Sequence, residues 1–141
     1  MKRTVLVVEE HPLLRRAYAR FLSHAGYEVR EVAPVEEIET VLAAAGADAI
    51  VLDPDAQAGR GREIAQRALR VDSGIAIVFL LSSRMQGGTD FSTWVADACV
   101  SRTQGPEGIL GALRSLLPPA DRKPAKTRAT RPTPRPVSSR A

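Results

Sequence analysis

Residues 5–29 read VLVVEEHPLLRRAYARFLSHAGYEV, and the fold follows from how the apolar period changes along them. Thr4 to Val8 is a continuous, mostly β-branched run, the pattern of a strand covered on both faces. Two carboxylates, Glu9 and Glu10, end it. Pro12 then opens a helix with Leu13, Leu14, Ala17, Tyr18, Phe21 and Leu22 at helical spacing, and Gly26 stops it. Tyr27 to Val32 alternates as a second strand. Strand, helix and strand in so short a span make a βαβ unit with parallel strands.

The rest of the chain repeats that rhythm. Pro34 starts a second helix carrying Val35, Ile38, Val41 and Leu42, which Gly46 ends. Ala49 to Leu52 is a third apolar strand and terminates in Asp53. A third helix is expected from about Arg62 to Arg70, with Ile64, Ala65, Ala68 and Leu69 facing inward. Ile75 to Leu81, after Gly74, is the most hydrophobic strand. A weak segment around Phe91 to Val95 follows Gly87 and Gly88, and Ala98 to Val100 reads as a short fifth strand. Pro106 begins a last helix with Ile109, Leu110, Leu113, Leu116 and Leu117. The expectation is an α/β fold, a doubly wound five-stranded parallel sheet with helices on both faces.

The chain has 141 residues, 44% of them hydrophobic and 26% charged, and a formal net charge of +4. That is room for one domain. The charge is unevenly placed. Residues 118–141 hold seven basic side chains and one acid, for +6, whereas residues 1–117 hold 13 basic and 15 acidic side chains, for −2. Six of the ten prolines also lie beyond Leu117. Residues 1–117 are therefore expected to be the domain and 118–141 a disordered basic tail rich in Pro and Arg. With no aromatic side chain in the tail, any contact it makes with polyanions would be led by phosphates and sensitive to salt. No apolar run can cross a bilayer or serve as a signal-peptide core. The single cysteine, Cys99, has no internal partner and reads as a small buried hydrophobe. A cytoplasmic protein is expected.

In open parallel sheets the working crevice lies beyond the carboxyl ends of the strands. The residues there are Glu9 and Glu10, Asp53 with Pro54 and Asp55, Ser82 and Ser83, and Ser101 with Arg102. Carboxylates, hydroxyls and a cation on one rim suit a divalent metal and a phosphoryl group, and Mg²⁺, which takes oxygen ligands, is the natural ion. A carboxylate capping a loop is the lesser reading of Asp53, whereas Ser82 could equally be a turn hydroxyl. His11 reads as a solvated residue at a helix start. Arg15, Arg16 and Arg20 read as the solvated face of the first helix.

The opening stretch, ADAIVLD at 47–53, LSS at 81–83 and ADACVSRTQGPEGILGALRSLL at 96–117 together resemble the receiver domain of two-component response regulators, over residues 3–117. The resemblance implies the flavodoxin-like receiver fold and a non-enzymatic role in phosphorelay signal transduction. It makes Asp53 the phosphoacceptor position that attacks a phosphohistidine on a sensor histidine kinase. Glu9 and Glu10 would hold Mg²⁺ with Asp53 and the backbone carbonyl of Asp55, and Ser82 is the switch-hydroxyl position. The metal would let two anions meet. The partners implied are a sensor kinase or another signalling protein, through a contact surface around residues 84–117. Nothing after Leu117 reads as a DNA-binding output unit, so a stand-alone receiver is expected.

The chain departs from the family pattern at several points. Glu10 replaces the metal-binding aspartate, and its extra methylene fits the Mg²⁺ octahedron less well. Arg102 replaces the lysine after strand five, and Thr103 the proline that follows it. Cys99 occupies the aromatic switch position, and Gln57 stands where a proline is usual. The segment from Ser83 to Asp97 is short, and an altered fourth-helix face bearing Met85 and Trp94 is where a partner is expected. Arg102 reads as an internal salt-bridge partner of Asp53 or Glu10, so a pseudo-receiver locked by Arg102 and signalling without phosphorylation is the main alternative. The DPD of Asp53 to Asp55 is also similar to Toprim domains, which would make the chain a Mg²⁺-dependent nucleic-acid enzyme. A haloacid-dehalogenase-type phosphatase shares the same short motif but needs a lysine, and the chain has none between Arg3 and Arg122.

Overall fold

A computed structural model describes residues 2–33, 38–82 and 96–117. In chain order these hold β1 (Thr4–Val8), α1 (Pro12–His24), β2 (Glu28–Val32), α2 (Ile38–Ala45), β3 (Ala49–Leu52), α3 (Ala56–Val71), β4 (Ala76–Leu81), β5 (Ala98–Ser101), a 3-10 turn (Arg102–Gln104) and α4 (Gly105–Leu116). The strands form one sheet in the order β2-β1-β3-β4-β5, and every neighbouring pair is parallel. The chain runs outward from β1 to β2, then crosses to β3 and on to β5. The switch point therefore falls between β1 and β3, as the doubly wound reading requires.

Strand alternation divides the core into two layers. Val5 and Val7 of β1, Val51 of β3 and Val100 of β5 pack with Tyr18 and Leu22 of α1 and Ile109 and Leu113 of α4. Leu6 and Val8, Ile50 and Leu52, and Ile77 and Phe79 pack on the other face with Ile38, Leu42, Ile64, Ala65 and Ala68 of α2 and α3. Residues 4–8, 49–52 and 76–80 read as continuous apolar runs because both faces are covered.

Four expectations need correction. The third helix starts at Ala56 and not near Arg62. Gly59 and Gly61 look like breakers in the sequence, but both are needed where they stand. Gly59 adopts φ +92°, and a Cβ on Gly61 would lie 2.0 Å from the Asp53 carbonyl oxygen, so the helix can press against the β3 end only with glycine there. On α1, Leu13 is exposed (77%) and Ala17 is also outward, so the inward stripe is Leu14, Tyr18, Ala19 and Leu22. Arg15 is not a solvated residue; it is half-buried and ties α1 to the ends of β1 and β2. Cys99 is exposed on β5, although its neighbours desolvate the thiol enough to push its pKa up. The start of the second helix at Pro34, the segment with Met85, Gly87, Gly88 and Trp94, and the tail at 118–141 lie outside the described residues.

Candidate functional site

Three strand ends on one rim supply the charged groups. In the β1–β3 register Val8 pairs with Leu52, so Glu9 and Asp53 emerge side by side at the switch point. In the β4–β5 register Leu81 pairs with Ser101, so Ser82 and Arg102 emerge together. Alternation then decides which of these groups meet. Glu9 continues the parity of Val5 and Val7, Asp53 that of Val51, and Arg102 that of Val100, all on the α1/α4 layer. Tyr18 projects from α1 into the same layer. Glu10 has the opposite parity and is exposed.

Arg102 closes the cluster. Its Nη2 donates to Oε1 of Glu9 and to Oδ2 of Asp53, each at 3.0 Å, and its Nη1 donates to the Tyr18 hydroxyl at 3.3 Å. The arginine is held at the root as well. The Ser101 hydroxyl accepts the Thr103 N–H, and the Gln104 side chain accepts the Ser101 N–H, a capping box that fixes the turn carrying Arg102.

Each carboxylate is engaged at both oxygens. Oε2 of Glu9 accepts the His11 N–H at 3.1 Å, and the Glu9 backbone carbonyl accepts Nη1 of Arg15 at 2.7 Å. Oδ1 of Asp53 accepts the Asp55 N–H at 2.7 Å. Glu9 is 6% exposed, the only charged residue so buried among the described residues. Burial alone would lower the proton affinity of Arg102, but its bonds to Asp53 and Glu9 outweigh that and its pKa is raised, so the guanidinium never loses its charge. Burial, reinforced by the charges of Glu9 and Asp53 and opposed by Arg102, raises the Tyr18 pKa.

The sequence-level site residues are thus brought together only in part. Asp53 and Arg102 meet, but the second carboxylate on Arg102 is Glu9 and not Glu10. The Asp55 backbone carbonyl accepts the Gly59 N–H at 3.2 Å in the first turn of α3, and the Asp55 carboxylate lies 3.4 Å from Nη2 of Arg62. Ser82 is half-buried at the end of β4. His11 is exposed at the start of α1, as expected. Two members of the cluster are not among the residues the sequence points to as a site: Tyr18, which reads as a core residue, and Arg15, which reads as solvated. Parity along β1, β3 and β5 is the signal that puts Glu9, Asp53 and Arg102 on one layer, while the Tyr18 hydroxyl finds its partner only where α1 meets those strand ends.

Mg²⁺ requires near-octahedral oxygen ligands at about 2.0–2.1 Å. Here the space between the two carboxylates holds a guanidinium nitrogen at hydrogen-bond distance from both. An ion ligated by Glu9 and Asp53 would stand against a fixed positive charge, and this pair of carboxylates in this arrangement does not fit it. Among the described residues no group of three or more His, Cys, Asp or Glu side chains is placed to hold a metal. An open cleft of about 520 Å³ at the opposite rim, lined by Lys2, Thr4, Glu28, Arg30 and Asp48 among others, lies away from all of these groups.

Residues 5–109 match the family model described as response regulator receiver domain. The chain is similar to the response regulator TrrA of Thermotoga maritima, solved in complex with Mg(2+)-BeF, at 26% identity and a TM-score of 0.67, covering 83% of this chain and 100% of that one. A second structure holds TrrA in complex with the histidine kinase ThkA, at 24% identity and a TM-score of 0.67, covering 83% of this chain and 99% of that one. The chemotaxis protein CheY4 of Vibrio cholerae shares the fold at 22% identity, with a TM-score of 0.73 over 83% of this chain and 100% of that one. No match was found among curated proteins. No helix of the described residues is long and apolar enough to cross a membrane.

Proposed function

The chain belongs to the response regulator receiver domain family, and from that premise we propose that it signals by protein–protein contact as a receiver held in one state, with Arg102 bound to the phosphoacceptor position Asp53. The observation that carries this reading is the pair of 3.0 Å bonds from one Arg102 nitrogen to Asp53 and Glu9. A carboxylate attacks phosphorus with a lone pair. On Asp53 one oxygen accepts from Arg102 and the other from the Asp55 backbone. Each oxygen keeps a second lone pair, but a phosphoryl group approaching Oδ2 must share its space with the Arg102 guanidinium, held there by a charge-assisted bond roughly twice as strong as a neutral one. The cation present can neutralise the acceptor, but it does so by occupying it.

A sensor histidine kinase or another signalling protein is the proposed partner, and the complex of TrrA with a histidine kinase supports the kinase. The described part of the proposed contact surface is β5, the turn at Arg102 and α4. The likeness to Toprim domains is confined to one short motif, whereas the receiver match spans residues 5–109.

Intact mass after incubation with acetyl phosphate and Mg²⁺ tests the proposal, with Asp53→Asn as the control. Wild type is expected to gain no phosphoryl mass under conditions that label an ordinary receiver. Labelling of wild type that the control lacks would overturn the locked state and restore Asp53 as a working acceptor.

A further inference from the structure

We infer that the Arg102 guanidinium stands in the place of a divalent cation, so that the wild-type protein takes no Mg²⁺ between Glu9 and Asp53. Removing the guanidinium uncovers a site for a hard divalent cation on those two carboxylates. The inference rests on the locked reading of Arg102 and adds the metal response of the site.

Two carboxylates that converge on one point need a cation between them. Nη2 of Arg102 is that cation, at 3.0 Å from each, on a side chain only 24% exposed. A guanidinium is charged at every pH in the working range of a protein, so no ordinary change of pH vacates the position. Tyr18 is a positioning residue here: its hydroxyl accepts Nη1 and keeps the guanidinium from swinging out to solvent. The capping box at Ser101 and Gln104 fixes the other end. A divalent ion would have to replace the 3.0 Å bonds with inner contacts of about 2.0–2.1 Å while the guanidinium remained beside it. The Asp55 carbonyl is already used within α3.

The test is the melting midpoint of the full chain in EDTA and in about 10 mM MgCl₂ at matched ionic strength, read for wild type, Arg102→Gln and Arg102→Gln/Glu9→Gln. Wild type is expected to move by less than about 1 °C, while Arg102→Gln melts lower in EDTA and rises by about 4 °C or more with Mg²⁺. The double variant is expected to lose that rise. A wild type stabilised by Mg²⁺ as much as Arg102→Gln, or an Arg102→Gln variant that does not respond, overturns the inference. Should Arg102→Gln fail to fold, Mn²⁺ titration of wild type decides by NMR. Unbroadened amide signals at Glu10, Asp53 and Asp55 are expected, and selective broadening there refutes it. The outcomes separate from those of phosphodonor labelling. A wild type that binds Mg²⁺ but is not labelled defeats only this inference, and one that is labelled but indifferent to Mg²⁺ defeats only the locked state.

Discussion

Replacing Arg102 with glutamine takes away a cation that two carboxylates share and leaves both in place. Since each accepts from the same nitrogen at 3.0 Å, their bonded oxygens lie no more than about 6 Å apart. Two unit charges at that separation repel by about 3 kcal/mol at an effective dielectric constant near 20. Asp53 is 22% exposed and Glu9 7%, so solvent screens part of this, and about half is kept. Hydrogen bonds to charged groups contribute about 1.5–3 kcal/mol each, and with the glutamine amide still able to donate their loss adds about 1 kcal/mol. The expected destabilisation is therefore about 2–3 kcal/mol, below the cost of breaking a fully buried pair. With a urea m-value of about 1.5 kcal/mol/M, the unfolding midpoint by circular dichroism should fall by about 1–2 M. Adding Glu9→Gln to Arg102→Gln should recover part of the loss, because it removes the repulsion, giving a coupling energy of at least about 1 kcal/mol. A single variant within about 0.2 M of wild type, or a double variant that recovers nothing, would refute the reasoning.

Other substitutions test the supports of the same cluster. Gly61→Ala places a methyl group against the Asp53 carbonyl and should cost about 1–3 kcal/mol, measured as a lower melting midpoint. Ser101→Ala removes the cap that fixes the Arg102 turn and should cost about 1 kcal/mol in urea unfolding. Tyr18 and Tyr27 have pKa values raised by burial above the ordinary 10.0, so the folded chain holds their protons more tightly than the unfolded chain. Stability should be full below that value and fall as pH climbs through the folded values, and in Tyr18→Phe this alkaline decline should be shallower. An equally steep decline in the variant would remove Tyr18 from the account.

The architecture was legible because covered parallel strands leave a plain trace: Thr4–Val8 and Ala49–Leu52 are unbroken apolar runs, and each is observed within those bounds. The start of α3 was not, since Gly59 and Gly61 score as helix breakers unless the close approach of Asp53 is known. The pairing of Arg102 with Asp53 was legible from its charge and its place after β5. The choice of Glu9 over Glu10 was not read, although the period of two along β1 contains it. Tyr18 was hidden because a tyrosine on an apolar stripe looks like any core residue, and only the meeting of α1 with three strand ends gives its hydroxyl a partner. The exposure of Cys99 depends on what covers β5, which a single strand's composition does not encode.

The most direct test of the central claim is the rotation of the Arg102 guanidinium in solution, read from its Nη signals by ¹⁵N NMR. A guanidinium fixed by Glu9, Asp53 and Tyr18 should show slow rotation and separately resolved Nη signals, which Glu9→Gln/Asp53→Asn should collapse. Averaged Nη signals in wild type, like those of the exposed Arg20 on α1, would contradict the lock.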